Sequence, residues 1–388
     1  MQEVILVRYG EIILKGLNRP IFEQKLIKNI KIVLRNERYK IWRSQARIYI
    51  EPFDENEELN TSRLIEKLLK VFGIVSVSPA LKVESNMDAI FQAAEKCMQR
   101  MHGLKTFKVE SKRGDKSFPL TSPEISRDVG ANILSKFKDL TVDVNSPDSV
   151  INVEVREYSY VYSEVIQAYG GMPTGTNGKA MLLVSGGIDS PAAGWMIAKR
   201  GVELEAVHFF SPPYTGPKAR EKVVDLCKIL SSYAGKLKLH IVPFTEIQVE
   251  LRDKCPEEQL TILMRRFMMR ISERIARESG CSALITGENL GQVASQTMQS
   301  LVASDSVVNM PVFRPLIGMD KNEIIALARK IDTYETSILP YEDCCTIFLP
   351  RRPETKPRLE KLELSEGHTD IERLISQAIQ NTEIVEIV

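Results

Sequence analysis

Met181-Leu182-Leu183-Val184-Ser185-Gly186-Gly187-Ile188-Asp189-Ser190-Pro191-Ala192-Ala193-Gly194-Trp195 lies near the middle of a chain of 388 residues. The apolar run 181–184 reads as a short buried strand, and the stretch from Pro191 reads as a helix closed by Gly201. A loop that joins a strand end to a helix start is a natural anion seat, because unpaired helix amides point into it. Two adjacent glycines allow successive N–H groups to face one point, and the hydroxyls of Ser185 and Ser190 add donors there. Such a loop is a cradle for phosphate. Pro191 is expected at the first helical position, where its missing amide proton has no partner to lose. An ordinary Gly-Gly turn would leave Asp189 and Ser190 unexplained.

A Walker loop requires Gly-x-x-x-x-Gly-Lys-Ser/Thr, whereas Gly178-Lys179 precedes the strand and is followed by Ala180. The pattern Ser-Gly-Gly-x-Asp-Ser instead resembles the PP-loop of the N-type ATP pyrophosphatases. That resemblance implies binding of the pyrophosphate of ATP and activation of a carbonyl oxygen by adenylylation. Strand and helix signals then alternate: strand 205–210, helix 216–230, strand 237–242, a long helix within 255–279, and strands 283–286 and 312–316. The alternation predicts a doubly wound parallel sheet with its ligand at the carboxyl ends of the strands.

Length bounds the chain at two or three domains. A composition of 43% hydrophobic and 27% charged residues indicates a soluble globular protein. No apolar run approaches the roughly 20 residues of a membrane span. Met1-Gln2-Glu3-Val4 lacks the form of a signal peptide, so the expected location is cytoplasmic. Six cysteines form no Cys-x-x-Cys pair, which argues against a zinc ribbon and a disulfide scaffold. The net charge of +1 conceals an uneven distribution: residues 8–47 hold eleven Lys/Arg against three Glu, and residues 363–388 hold six acids against Arg373. A basic N-terminal face is the expected footprint of a polyanion.

Toward the N-terminus, strands are expected at 3–8, 40–43 and 47–50. A glycine-bounded loop covers 9–16, and a helix opens at Pro20 with Phe22, Leu26, Ile30, Val33 and Leu34 at helical spacing. The acidic stretch 51–58 marks a boundary. Beyond it come a helix at 64–69, an extended run at 74–77, a helix at 87–101 and a strand at 106–113 that runs into a basic loop. Thr121 and Glu124 form a capping box ahead of Ile125, Val129, Ile133 and Phe137. Strands at 150–155 and 160–166 precede the linker 170–175.

Arg8-Tyr9-Gly10-Glu11 with Leu14-Lys15 and Asn18-Arg19, then Phe107-Lys108-Val109 to Arg113, then Gly170-Gly171-Met172-Pro173 and the Ser185–Ser190 loop together resemble the tRNA 4-thiouridine synthetases, the ThiI family. The resemblance covers nearly the whole chain. It implies an α/β multidomain protein with an N-terminal ferredoxin-like α+β domain at 1–58, a THUMP RNA-binding domain at 59–168 and a PP-loop adenylylation and sulfurtransferase domain at 169–388. The implied enzyme uses ATP and Mg²⁺ to adenylylate O4 of a tRNA uridine and then transfers persulfide sulfur to give 4-thiouridine. The alternatives are another PP-loop thiolase making 2-thiouridine, and a tRNA-binding protein with a vestigial ATP site.

Ser185, Gly186, Gly187, Asp189 and Ser190 are expected to hold the pyrophosphate, with Asp189 orienting Mg²⁺, since a carboxylate beside a triphosphate needs a cation between them. The resemblance assigns adenosine contacts to Leu183, Val184, His208, Phe209, Arg265, Gly287 and Gln296. Asp320 and Glu323 form a second capping pair that puts Lys321 in a first helical turn. A cation there opposes the helix dipole, which a bound phosphate would offset, and the family has a catalytic lysine in this motif. The stripe Arg266, Arg270, Arg274 and Arg277 reads as a solvated helix face, the alternative being an RNA contact. Cys344-Cys345 are poor candidates for a mutual disulfide; the family places a sulfur-transfer cysteine in this region, and either residue fits. Cys97, Cys227 and Cys281 read as core residues, and Cys255 is left undecided. Lys15, Arg19, Lys108, Lys112 and Arg113 are the expected contacts to tRNA phosphates. Longer family members append a rhodanese-like domain, for which this chain has no room. Sulfur is therefore expected from a cysteine desulfurase or a separate persulfide carrier, and a role in thiamine thiazole synthesis is not implied. A homodimer is left open.

Overall fold

Strand β1 (Gln2–Tyr9) carries the apolar run 4–7 because both of its faces are covered: Ile5 and Val7 pack into one cluster, Val4 and Leu6 into another. The computed structural model describes residues 1–54, 59–341, 348 and 350–388. The chain divides into two compact units, Met1–Gly171 and Met172–Val388.

In the first unit β1 is followed by α1 (Arg19–Val33), β2 (Tyr39–Ser44), β3 (Arg47–Pro52), α2 (Thr61–Leu69) and β4 (Ile74–Glu84). Then come α3 (Met87–Gln99), β5 (Thr106–Arg113), α4 (Ser122–Lys136), β6 (Thr141–Val142), β7 (Ser149–Val155), β8 (Tyr158–Tyr162) and β9 (Ile166–Gln167). They form one nine-stranded sheet in the order β2-β3-β1-β4-β8-β7-β5-β6, with β9 also on β4. Helix α1 buries Leu26 and Ile30 against Ile5, Val7 and Ile50. Helices α3 and α4 bury Ile90, Ala94, Val129 and Ile133 against Phe107, Ile151 and Val153. The capping box is present, with the Thr121 amide donating to Glu124 Oε2 at 2.7 Å.

Two expectations change here. The stretch expected as a loop at 9–16 runs into 3₁₀ turns over Glu11–Asn18, interrupted at Gly16, whose φ is 53°. The acidic stretch expected as a domain boundary does not end the compact unit, because β4, which lies beyond it, pairs antiparallel along all of β1, from Gln2↔Lys82 to Tyr9↔Ile74.

The second unit begins with β10 (Lys179–Leu183), α5 (Asp189–Ala198), β11 (Glu203–Phe210), α6 (Pro217–Ala234) and β12 (Leu237–Pro243). It continues with α7 (Thr245–Lys254), α8 (Leu260–Glu278), β13 (Ala283–Ile285), α9 (Met298–Asp305) and β14 (Val312–Phe313). It closes with α10 (Lys321–Lys330), α11 (Tyr334–Ser337), α12 (Leu359–Glu366), α13 (Ile371–Gln380) and β15 (Glu383–Ile387). The six-stranded sheet has the order β14-β13-β10-β11-β12-β15. The strands β10 to β14 are mutually parallel, and β15 adds an antiparallel edge strand that sequence reading did not anticipate. The chain runs outward from β10 through β11 to β12, then returns to place β13 on the other side of β10. The β10/β13 boundary is thus the topological switch point, where open α/β sheets bind their ligands.

Helix α5 starts at Asp189, two residues earlier than expected, so Pro191 is the third helical residue. It still lies in the first turn, where a helix has no use for an amide proton. The arginine stripe of α8 is a solvated face only in its second half, where Arg277 is exposed and pairs with Glu273 one turn away; its first half is turned inward. Arg266 is only 1% exposed and forms a two-bond fork with Glu366 of α12, at 2.8 and 2.9 Å. Arg270 forks the same carboxylate at 2.8 Å on both bonds, and Arg274 reaches Glu372 of α13 at 2.6 Å. Arg266 and Arg270 turn inward because their partner is an acid about a hundred positions away in the chain. No described helix is long and apolar enough to cross a membrane.

Candidate active site at the switch point of the catalytic sheet

The loop after β10 is closed by its own side chains. The Ser185 amide donates to Ser190 Oγ at 2.9 Å, the Gly187 amide to Ser185 Oγ at 3.2 Å, and Ser190 Oγ donates back to the Ser185 carbonyl at 3.3 Å. The serine hydroxyls expected to face a ligand therefore also pre-fold the loop. Neither Gly186 nor Gly187 occupies the left-handed region. A Cβ at Gly186 would meet the side chain of Lys222 at 3.4 Å, an ordinary contact distance.

Asp189 opens α5, where a carboxylate is favoured by the helix dipole. Its Oδ1 accepts from Lys321 Nζ at 2.7 Å and its Oδ2 from Gln292 Nε2 at 3.1 Å. Lys321 is fixed by the expected capping box: Asp320 Oδ1 accepts the amides of Asn322 and Glu323 at 2.8 and 3.0 Å, and Glu323 Oε2 accepts that of Asp320 at 2.8 Å. The ammonium expected to await a phosphate thus faces a carboxylate across the loop mouth.

Gly287, just past β13, is a close-approach glycine. A Cβ there would lie 2.7 Å from the Ser190 nitrogen and 2.8 and 2.9 Å from the Asp189 carbonyl carbon and Ser190 Cα. All three are backbone atoms of the first turn of α5, so nothing flexible can yield. Overpacking of this kind costs about 1–3 kcal/mol. Gly287→Ala is expected to destabilise the second unit by that amount, read as a lowered midpoint in urea unfolding.

The β-strand ends surround a cavity of about 440 Å³. Leu183, Val184, Ser185, Asp189, Ser190, His208, Phe209, Arg265, Gly287 and Gln296 all line it. Of the residues expected at the nucleotide, Gly186 and Gly187 are the two that do not line it. His208 is buried, and its Nδ1 donates to the Val184 carbonyl at 3.1 Å, which orients the ring across the strand ends. Met268 and Met269 of α8 supply apolar wall. Size, apolar lining and few convergent polar groups suit a nucleotide.

Sequence reading missed the carboxylate that aims Arg265. Glu288 is buried and binds Arg265, whose Nη1 also donates to Ser295 Oγ at 3.2 Å. Arg314 Nε donates to Glu288 at 2.7 Å, as does Thr286 Oγ1 at 2.9 Å. Burial pushes the Glu288 carboxyl up, but the two guanidiniums and the Thr286 hydroxyl more than offset it and hold it below the usual glutamate value. A carboxyl depressed in the fold contributes stability above its unfolded pKa and loses it as pH falls through the lower folded value. The second unit is therefore expected to keep its melting temperature down to the ordinary glutamate pKa near 4.5 and to lose it below. Glu288→Gln should flatten that acid limb in thermal melts from about pH 6 to pH 3.

A Mg²⁺ ion bound largely through substrate phosphates needs only one or two protein carboxylates. Asp189, on the cavity wall, fits that requirement. Among the described residues no cluster of three or more His, Cys, Asp or Glu side chains offers an all-protein metal site.

Of the cysteines, Cys97, Cys227 and Cys281 are buried as expected. Burial pushes the Cys97 thiol up to about 11 and those of Cys227 and Cys281 up to about 12. Cys255 is half-buried, raised by burial, and donates to the Ser365 carbonyl at 3.4 Å. Cys344 and Cys345 lie outside the described residues.

The basic residues expected at RNA divide by role. Arg19 is tied to Glu23 at 2.7 Å, and Glu23 also binds Tyr9 and Arg43. Lys108 pairs with Glu110 at 2.8 Å, and Arg113 donates to the carbonyls of Phe118 and Leu120 at 3.3 and 3.5 Å. Lys15 and Lys112 are exposed, and Lys112 edges a cavity of about 290 Å³ in the first unit.

Comparison with known proteins agrees with this geometry. Residues 175–371 match the family model described as "Thiamine biosynthesis protein (ThiI)", residues 4–78 the ThiI ferredoxin-like domain and residues 84–164 the THUMP domain. The chain is 60% identical over 391 residues to a probable tRNA sulfurtransferase of Acetivibrio thermocellus, covering 100% of this chain and 99% of that one. It is 54% identical over 388 residues to a protein so named from Thermoanaerobacter sp., covering all of both. A solved 4-thiouridine synthetase, in complex with RNA and with bound ATP, superposes with a TM-score of 0.92 at 42% identity over the full length of both chains.

Proposed function

The chain belongs to the ThiI family, and on that footing we propose that it is an ATP-dependent tRNA sulfurtransferase that converts a uridine to 4-thiouridine. The observation that carries the reading is the convergence of the Ser185–Ser190 loop, His208, Arg265, Gly287 and Gln296 on one cavity whose mouth holds the Lys321–Asp189 pair. ATP fits the cavity with adenosine toward the strand ends and Arg265, and with its phosphates toward the loop and Lys321.

In the first step O4 of the uridine attacks the α-phosphorus, the α–β phosphoanhydride bond breaks and pyrophosphate leaves. Lys321 balances the charge that gathers on the departing phosphates. Asp189 holds the lysine in place and would carry Mg²⁺, which supplies further charge neutralisation when bound. The resulting AMP ester makes O4 a good leaving group. In the second step a sulfur nucleophile attacks C4 and AMP departs with O4. If the sulfur arrives as a persulfide on Cys344 or Cys345, a second thiol must then cut the remaining S–S bond. The raised thiols of Cys97, Cys227, Cys255 and Cys281 suit them poorly to this task. A cysteine desulfurase or a persulfide carrier is the proposed source of sulfur. Phosphate contacts from Lys15 and Lys112 would help seat the tRNA.

The test is direct. Protein, ATP, Mg²⁺, a sulfide source and unmodified tRNA should yield 4-thiouridine with release of AMP and pyrophosphate. Nucleoside chromatography against both thiouridine isomers separates this outcome from 2-thiouridine formation. Absence of pyrophosphate release would favour a binding protein instead.

A further inference from the structure

Lys222 has no role in that chemistry, yet it is a lysine buried to 5% exposure in the middle of α6. It lies in phase with Leu226 and Leu230, both buried, so its side chain follows the apolar stripe into the interior. A buried ammonium is costly unless its donors are used. Here Nζ donates to the main-chain carbonyl of Leu339 at 2.8 Å. The end of the same side chain also backs the pyrophosphate loop: Cδ, Cε and Nζ lie 3.4, 3.5 and 3.5 Å from the point a Gly186 Cβ would occupy. Lys222 does not line the nucleotide cavity. It stands behind the loop and grips a second piece of backbone.

That second piece leads in sequence to the cysteines: Leu339 precedes Cys344 by five positions. Tyr341 is near the same helix, with Lys218 Nζ 5.8 Å from its ring centre. One side chain therefore touches both the loop proposed to take pyrophosphate and the root of the stretch proposed to deliver sulfur.

We propose that Lys222 is a positioning residue that ties the Leu339 backbone to the Gly186 side of the loop, so that sulfur transfer depends on it while adenylylation does not. The proposal rests on the sulfurtransferase reading of the site. Two assays on the full-length protein separate the halves: tRNA-dependent exchange of labelled pyrophosphate into ATP without a sulfur donor, and complete 4-thiouridine formation. Lys222→Met is expected to keep exchange within about threefold of wild type while thiolation falls about 10²-fold, the penalty of roughly 1 Å of misplacement. Lys222→Arg, which keeps a cationic donor, should recover some of the loss. An equal fall in both assays, or a fall in neither, overturns the proposal. If Lys222→Met does not fold, as judged by circular dichroism and melting, Lys222→Gln, whose nitrogen is one atom short of the position that bonds the Leu339 carbonyl, is expected to show the same unequal fall, and an equal fall or none overturns the proposal. A wild-type protein inactive in both assays would sink the underlying reading, and an active one leaves the ratio in the variant as the test of Lys222 alone.

Discussion

Lys321→Met is expected to lower kcat for tRNA thiolation by about 10²–10³-fold, the usual loss when one pre-oriented charge stabiliser is removed from an active site. The side chain is held rather than free: its ammonium is 2.7 Å from Asp189 Oδ1, and α10 is fixed by the Asp320–Glu323 box. No reorganisation is needed as charge develops on the leaving pyrophosphate. ATP affinity should change less than kcat, because the extra negative charge is largest in the transition state. Asp189→Ala should lower the rate by a similar factor through loss of the lysine's partner and of the proposed Mg²⁺ seat. The double variant should be little worse than either single one, since groups that act as a unit are not additive. Near-wild-type thiolation in both single variants would remove the basis of the mechanism.

Arg266→Ala carries the largest expected effect on stability, a loss of about 3–5 kcal/mol in urea unfolding of the second unit. The arginine is 1% exposed and makes four hydrogen bonds: two to Glu366, one to the Ala303 carbonyl and one to Ser306 Oγ, the last two both at 2.8 Å. Truncation leaves the Glu366 carboxylate with Arg270 as its remaining forked partner and strips the Ala303 carbonyl of a donor. Replacing Arg266, Arg270 and Glu366 together by Met, Met and Leu should recover much of the loss, because no charge of the triad is then left without its partner. Arg274→Ala is the control: its Glu372 partner is largely exposed, and a surface pair of this kind is worth less than about 1 kcal/mol. A mild Arg266→Ala would mean that water reaches the pair.

What could be read from the chain was what depends on neighbouring residues. The two capping boxes, the strand–loop–helix at Ser185–Ser190 and the alternation behind the parallel sheet rest on spacings of a few positions, and the structure contains them. The cavity likewise gathers the seven residues assigned to the nucleotide by resemblance, together with Ser185, Asp189 and Ser190 read from the loop itself. What escaped depends on distant partners. Arg266 looked solvent-facing because Glu366 lies a hundred positions away, and β15 could not be placed because its only reason to be extended is the free edge of β12. Glu288 and Gln292 gave no pattern at all; their roles come from where β13 ends. Lys222 did leave a trace, a charge in register with an apolar helical stripe. Such a charge either finds a buried acceptor or does not stay buried.

The long strand β4 has a mechanical meaning. Its residues pair with β1 along one edge and with β8 and β9 along the other, so the two halves of the first unit share a girder rather than a joint. Bending between the two halves would have to break ladder bonds along β4. Such a frame would work on RNA as a caliper, selecting by length and curvature beyond what its exposed lysines select by charge.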